Sequence, residues 1–389
     1  MASYSNRLPD GVSSRMVPVA DLDMHILEAG DPARPLILLL HGFPELAFSW
    51  REVILPIAQL GYRVVVPDQR GFGRTRNRSQ SGTDTSVRYE DDPRPYRILN
   101  IVRDAIALVY ALGYRTVAAV LGHDAGSPIA AYCTLIRPDI FQSVVMMSAP
   151  FGGPPPLHFD VDRAPSSSLP SIFSAEAGAA FATLDPPRKH YVRYFAGPRA
   201  NDDIMNAPQG LYAYLRAYFH MKSADWPHND PHELASYDPS ELAKLPHYYM
   251  MPLAATMPEA VAPHAPSSEA AAQNRWLPDS DLAVYVVEYG RTGFQGGLNW
   301  YRAMQPELSD ELAIFAGRKI ERPAMFLSGR KDWGVFQAPG ALQRMKSDAC
   351  ARMEDEDVVL VEGAGHWVQQ EQPEEVVRQI ERFLKKVVF

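Results

Sequence analysis

Three residues far apart in the chain, Asp124, Asp332 and His366, stand where a nucleophile, an acid and a base would be placed. Asp124 is the centre of Gly122-His123-Asp124-Ala125-Gly126, directly after the apolar run 116–121. A strand that turns abruptly into a helix strains the backbone of its apex residue, and large side chains two positions to either side would collide. The glycines at 122 and 126 suit such a turn, and its apex is then a carboxylate, a nucleophile that forms an ester. A lone Asp at this place could instead cap the helix that follows. Asp332, in Ser328-Gly329-Arg330-Lys331-Asp332 after the run 324–327, and His366, in Gly363-Ala364-Gly365-His366-Trp367 after the run 358–361, favour the chemical role. All three fall just past the C-terminal ends of expected strands, the rim on which open α/β sheets bind ligands. Their order is one that a nucleophile, acid and base take on such a sheet.

The elements that must hold these residues can be read from periodicity. From Pro35, short apolar runs alternate with amphipathic segments, the pattern of a mainly parallel sheet with helices on both faces. The run 36–40 has no polar residue, as a strand buried on both faces requires. Ser49 is placed to cap a helix over 50–60 that stops at Gly61, and 62–66 returns to strand. A helix over 98–112, strand 116–121, helix 125–136 and strand 143–147 follow. Between Gly152 and about Ile320 lie 19 of the 34 prolines and 11 of the 18 tyrosines, which suits an insertion of short helices and loops. Strands 324–327 and 358–361 and an amphipathic helix over 373–387, acids first and lysines last, close the chain. The expected fold is α/β, a mostly parallel central sheet flanked by helices. Its core spans 1–150 and 321–389, with an inserted, mainly helical lid over 151–320. The mixed-sign segment 70–97 reads as a solvated surface loop.

The motifs His41-Gly42-Phe43-Pro44-Glu45, Asp68-Gln69-Arg70-Gly71-Phe72-Gly73, the Asp124 elbow, Asp332 and Gly365-His366-Trp367, with the lid, resemble an epoxide hydrolase of the α/β-hydrolase fold superfamily. The similarity runs from about Pro35 to the C-terminus. It implies hydrolysis of an epoxide to a vicinal diol through an alkyl ester on Asp124, cleaved by water that the His366–Asp332 pair activates. It further implies an oxyanion hole made by the backbone N–H groups of Phe43 and Ala125. The family's two proton-donating lid tyrosines fall on Tyr194, in Tyr191-Val192-Arg193-Tyr194-Phe195, and on Tyr301, in Asn299-Trp300-Tyr301-Arg302. Ring opening releases an alkoxide, and a phenol of ordinary pKa about 10 is protonated at neutral pH and acidic enough to meet it. His41 is expected to brace the oxyanion loop and His123 to pack beneath the elbow. Trp333 and Trp367, each beside a triad residue, are candidates for the pocket wall, with core packing as the alternative. The route needs no cofactor and no metal.

Rival chemistries are weighed by the same residues. A dehalogenase would use the same triad, but haloalkane enzymes usually place Asn where this chain has Phe43 and Trp where it has Ala125. Haloacetate enzymes resemble a His-Asp-Arg elbow, and neither pattern is present. Ala125 also departs from the bulky aromatic of many epoxide hydrolases, which opens space in the pocket. A non-catalytic small-ligand binding protein on the same scaffold would be signalled by loss of a triad member, and all three are here. Ser127 lies three residues beyond Asp124, too far from the apex for a serine esterase. His220, Asp225, His228 and His232 cluster in the lid, but Pro227 and Pro231 argue against the regular helix that would align them. Cys133 and Cys350 are too few for a disulfide framework or a four-ligand site and read as one helix-buried thiol and one near a helix end. A net charge of -8 without a basic stripe excludes a nucleic-acid partner. The first twelve residues lack a signal-peptide core, and no apolar stretch is long enough for a transmembrane segment, so a cytoplasmic location is expected. The tyrosines, methionines and prolines of the lid suggest a small, largely apolar substrate.

Overall fold

The computed structural model describes residues 7–78, 86–157 and 172–387. Part of the expected surface loop (79–85), part of the expected lid (158–171) and the two chain ends lie outside the described residues. The chain opens with an antiparallel hairpin, β1 (Ser13–Val19) and β2 (Leu22–Ala29), which the periodicity from Pro35 onward does not reach. The strands β3 (Leu36–Leu40), β4 (Arg63–Pro67), β5 (Arg76–Asn77), β6 (Ala119–His123) and β7 (Val144–Met147) follow. After an insertion containing β8 (Arg188–His190) and β9 (Met250–Pro252), the sheet is completed by β10 (Ala324–Gly329) and β11 (Val358–Val361). The order across the main sheet is β1-β2-β4-β3-β6-β7-β10-β11, with β5 on β2. All pairs from β4 to β11 are parallel, and β2 meets β4 antiparallel.

Every residue of β3, β4, β6, β7 and β10 is buried, which is why these strands read as unbroken apolar runs. Their crossovers are helices: Arg51–Gln59, Ile98–Ala111 and Gly126–Ile136. The last helix, Pro373–Lys386, buries Val376, Ile380, Phe383 and Leu384 along one stripe, each contributing roughly 1.5–3 kcal/mol by leaving water. Register pairs Leu40 with Gly122, His123 with Met147 and Gly329 with Val361. The loops after β3, β6, β7, β10 and β11 therefore leave from one edge.

Two expectations are corrected. Ser49 does not cap a helix: its Oγ is 2.8 Å from the Tyr285 hydroxyl, a short 3-10 turn (Ala47–Trp50) intervenes, and the helix begins at Arg51. Arg70 is not solvated either, because its guanidinium is buried on Asp104 (2.7 Å) and Asp21 (2.8 Å), anchoring the start of the loop inside the fold.

Between β7 and β10 the described residues are mainly helical, including Tyr191–Phe195, Gly210–Lys222, Asp279–Thr292 and Gln295–Ala303, plus the small β8–β9 ribbon. This region packs on the functional edge of the sheet. The Trp300 indole N–H donates to the Arg70 carbonyl (3.0 Å), and Gly71 and Gly296 touch backbone to backbone. Across the elbow, a methyl at Gly126 would lie 2.7 Å from the His41 carbonyl oxygen and closer still to that of Leu40. Gly126→Ala is expected to cost about 3 kcal/mol by overpacking two backbones that cannot separate, measured as a loss of urea stability.

Candidate active site

Asp124 sits at the end of β6 with φ of 51°, a left-handed conformation that a non-glycine residue adopts only where the surroundings impose it. A Cβ at Gly122 would collide with the Gly126 carbonyl, and one at Gly42 would collide with Asp124 Oδ1 and stand 2.8 Å from Ala125 N. Crowding on three sides thus presents the carboxylate at the apex. Oδ1 accepts the Phe43 N–H at 2.9 Å, while the Ala125 amide lies beside the same group without bonding it. Burial opposes ionisation of Asp124, but His366, Lys222 and His123 outweigh it and hold the carboxyl well below its usual range.

His366 stands on the loop after β11. Its Nε2 is 3.4 Å from Asp124 Oδ2 and makes no hydrogen bond, while its Nδ1 is 3.1 Å from Asp332 Oδ1 and 2.8 Å from Ser148 Oγ. The Ser148 hydroxyl donates its single proton to Asp332 Oδ2 at 2.5 Å, so towards Nδ1 it can only accept. Nδ1 therefore carries a hydrogen, and Nε2 is turned towards Asp124. Asp332 also accepts from Ser328 Oγ (3.0 Å) and the Gly334 N–H (2.7 Å). Burial pushes the Asp332 carboxyl up, but His366, Ser148 and Lys222 bring it down to about 2. The loop is fastened by the His366 N–H on the Lys222 carbonyl (2.8 Å), and by Glu371, which accepts the N–H groups of Ala224, Gly365 and Trp367.

A second charged layer lies beneath. Glu45 accepts the Gly42 N–H (2.8 Å), His123 Nδ1 (2.6 Å) and the Gln369 amide (2.7 Å). His123 Nε2 is 2.7 Å from the His366 carbonyl oxygen, which can only accept, so both ring nitrogens donate and the ring is an imidazolium. Burial works against both charges, yet each partner shifts the other towards its ionised form: His123 is raised and Glu45 lowered. His41 braces the loop after β3, its Nε2 accepting the Gln69 N–H at 3.1 Å.

The tyrosine pair differs from the sequence expectation. Tyr301 is buried with its ring 5.4 Å from Phe43, and burial followed by the Asp124 charge pushes its phenol well above its ordinary value. Tyr194 is not brought there. Its hydroxyl donates to Asp203 Oδ2 (3.1 Å), the Lys189 ammonium lies 5.1 Å over its ring, and it lines a surface cavity of about 760 Å³ with Lys189, Arg199 and Glu259. The neighbour of Tyr301 is Tyr191, three residues earlier, at 5.9 Å between rings. Burial and then the charges of Asp124 and Asp332 raise the Tyr191 phenol. Two tyrosines in one short helix fit the same motif, and only the docking of that helix separates them.

Trp367 is fully buried behind His366, with its indole N–H on the Phe219 carbonyl (2.8 Å), and Trp333 is buried with its ring 5.0 Å from His232. Both are packed side chains. Ser127 donates to the Ala149 carbonyl, Asp225 accepts the Trp276 indole N–H and His232 Nδ1 meets the Asp230 carbonyl. Both cysteines are buried free thiols, and burial pushes the Cys350 thiol up to about 12. No helix among the described residues is long and apolar enough to cross a membrane. Ser148, Lys222 and Tyr191 carry no spacing signal of their own and emerge only from the packing.

Sheet order and site together define an α/β-hydrolase fold enzyme, and the sequence model for the alpha/beta hydrolase fold matches residues 35–188. Epoxide hydrolase B of Mycobacterium tuberculosis is 30% identical, aligned over 91% of this chain and 92% of its own length. Epoxide hydrolase A of the same organism is 29% identical over 96% and 97%. The solved structure of an epoxide hydrolase from an endophytic Streptomyces superposes with a TM-score of 0.72 at 30% identity, covering 97% of this chain and 96% of that one. The chain belongs to the epoxide hydrolase family, hydrolases that act on ether bonds.

Two stability effects are expected of the buried charges. Asp332 has a depressed folded pKa, so its contribution is complete above the unfolded value near 4 and drains as pH falls towards about 2. In Asp332→Asn, urea stability should therefore change less than wild type's between about pH 5 and pH 3. Glu45→Ala leaves the His123 imidazolium buried without its counter-ion and should cost about 3 kcal/mol in the same measurement at neutral pH.

Proposed function

We propose that this chain hydrolyses a small, largely apolar epoxide to its vicinal diol through an alkyl ester on Asp124, beneath a lid formed by residues 151–320. The observation that carries the reading is the setting of Asp124. One carboxylate oxygen rests on the Phe43 N–H, the other faces His366 Nε2, and Tyr301 and Tyr191 are buried near enough for its charge to raise their phenols. An Asp124 oxygen attacks a ring carbon in line, the C–O bond breaks, and its electron pair goes to the ring oxygen. That oxygen takes a proton from Tyr191 or Tyr301, which burial and the nearby carboxylates keep protonated at neutral pH.

The ester carbonyl oxygen then occupies the place of Oδ1. Water loses a proton to His366 Nε2 and attacks the acyl carbon, and the Phe43 and Ala125 amides meet the oxyanion, each worth a factor of about 10² to 10³. Collapse expels the diol oxygen, which takes the proton back from His366, and leaves Asp124 as its acid, whose proton returns to the tyrosinate and regenerates the carboxylate. Halide departure would need neutral N–H donors and no acid, so two protonated phenols beside the nucleophile favour an epoxide over a haloalkane.

His366→Gln should form the ester without hydrolysing it, leaving an adduct of one substrate mass on the intact protein after exposure to an aryl epoxide. An unchanged mass would count against the ester route. Replacing Tyr191 and Tyr301 together with Phe should lower the alkylation rate by about 10² or more, whereas Tyr194→Phe should leave it near wild type. The reverse ranking in rapid-quench alkylation would restore Tyr194 as the donor.

A further inference from the structure

His366 lies between two carboxylates, Asp124 at 3.4 Å and Asp332 at 3.1 Å. Opposite charge at such distances draws a proton onto an imidazole, and a protonated imidazole cannot take one from water. At the proposed hydrolysis step Asp124 is an ester, and Asp332 is the carboxylate that still draws a proton onto His366. The His123 imidazolium is matched by Glu45. The phenols of Tyr191, Tyr218, Tyr248, Tyr249 and Tyr301, which feel Asp124 or Asp332, are held protonated and neutral by burial. Ser148 and Ser328, which bond Asp332, carry no charge.

One cation remains. Lys222, the last residue of the helix Gly210–Lys222, is 3% exposed. Among the described residues its ammonium has no hydrogen bond or ion pair. Instead it is caged by rings, at 5.1 Å from Tyr249, 5.3 Å from Trp367, 5.6 Å from Tyr218 and 5.9 Å from Tyr248. A ring face attracts a cation without donating or accepting a proton, so the cage holds the charge while leaving the carboxylates free. The main chain ties the same residue to the histidine, since the Lys222 carbonyl accepts the His366 N–H at 2.8 Å, and Trp367 neighbours both the ammonium and the imidazole. In this water-poor interior, charge acts across several ångströms. Burial pulls the Lys222 ammonium below its ordinary value, while Asp124, Asp332 and Glu45 act to keep its proton.

We propose that Lys222 is a charge-balancing positioning residue: its caged ammonium opposes the proton that Asp332 would draw onto His366 once Asp124 is an ester, and so keeps the imidazole ready to accept a proton from water. The inference rests on Asp124 as nucleophile and His366 as base. It also accounts for a cation that, among the described residues, is buried against rings and not against a carboxylate.

The test is single-turnover reaction with styrene oxide across pH, reading adduct on the intact protein and diol release separately, in wild type, Lys222→Met and Lys222→Arg, each checked for folding by circular dichroism. Lys222→Met should still alkylate but accumulate the ester at neutral pH. Its ester hydrolysis should be slowed at least about tenfold, with an acid limb moved up by about one pH unit or more. Lys222→Arg should restore the limb towards wild type. Lys222→Gln, which retains a polar end, serves as the uncharged variant if the Met variant does not fold. An uncharged, folded variant that hydrolyses the ester with the wild-type rate and pH profile overturns the inference. Failure of Lys222→Arg to restore the limb assigns the residue to packing and overturns it as well. A wild-type enzyme that forms diol without any adduct removes the Asp124 reading itself, an outcome distinct from the other two.

Discussion

Everything in the site depends on one crowded turn. Asp124 can be a projecting carboxylate only because β6 runs into its helix so abruptly that the apex takes a left-handed backbone, and only because Gly42, Gly122 and Gly126 let three backbones approach where a methyl group would not fit. That closeness brings the Phe43 N–H onto the carboxylate and the Ala125 amide beside it, so the proposed nucleophile and the proposed oxyanion donors are fixed by one constraint. The strain is held by the buried parallel strands on either side, whose register sets the neighbouring loops at the same edge.

The second organising fact is electrostatic. Asp124, Asp332 and Glu45 are carboxylates with little or no access to water, and isolated charges of this kind are expensive to desolvate. The fold meets this with two cations of different kinds. His123 pairs directly with Glu45 and ties the oxyanion loop to the His366 carbonyl, whereas Lys222 sits at a distance in a cage of rings. A direct pair suits a layer that must stay rigid. A cation held at a distance suits a layer in which, by the proposed route, a carboxylate loses its charge to an ester and recovers it.

The parts of this arrangement that were legible in the sequence are those that local sterics impose. The elbow glycines, the apolar runs of β3, β6, β7 and β10 and the helix Pro373–Lys386 follow from backbone crowding and periodicity, which act over a few residues. The parts that were not legible depend on how distant segments dock. Ser148 ends an ordinary buried strand and acquires its place from Asp332 and His366, which arrive from two later loops. Tyr191 and Tyr194 share a five-residue helix, and the choice between them is made by Asp203 and Lys189 on one side and Tyr301 on the other. Ser49 and Arg70 were misplaced for the same reason, since Tyr285 and Asp104 claim them across the fold.

The proposed ester to Asp124 is the step on which the rest of the chemistry depends, and isotope labelling reaches it directly. In a single turnover of an aryl epoxide in ¹⁸O-water, mass analysis of the diol and of the peptide containing Asp124 locates the solvent oxygen. Attack of water at the acyl carbon predicts label in Asp124 and an unlabelled first diol. A labelled first diol with unlabelled Asp124 would mean that water opens the ring itself, and would contradict the account.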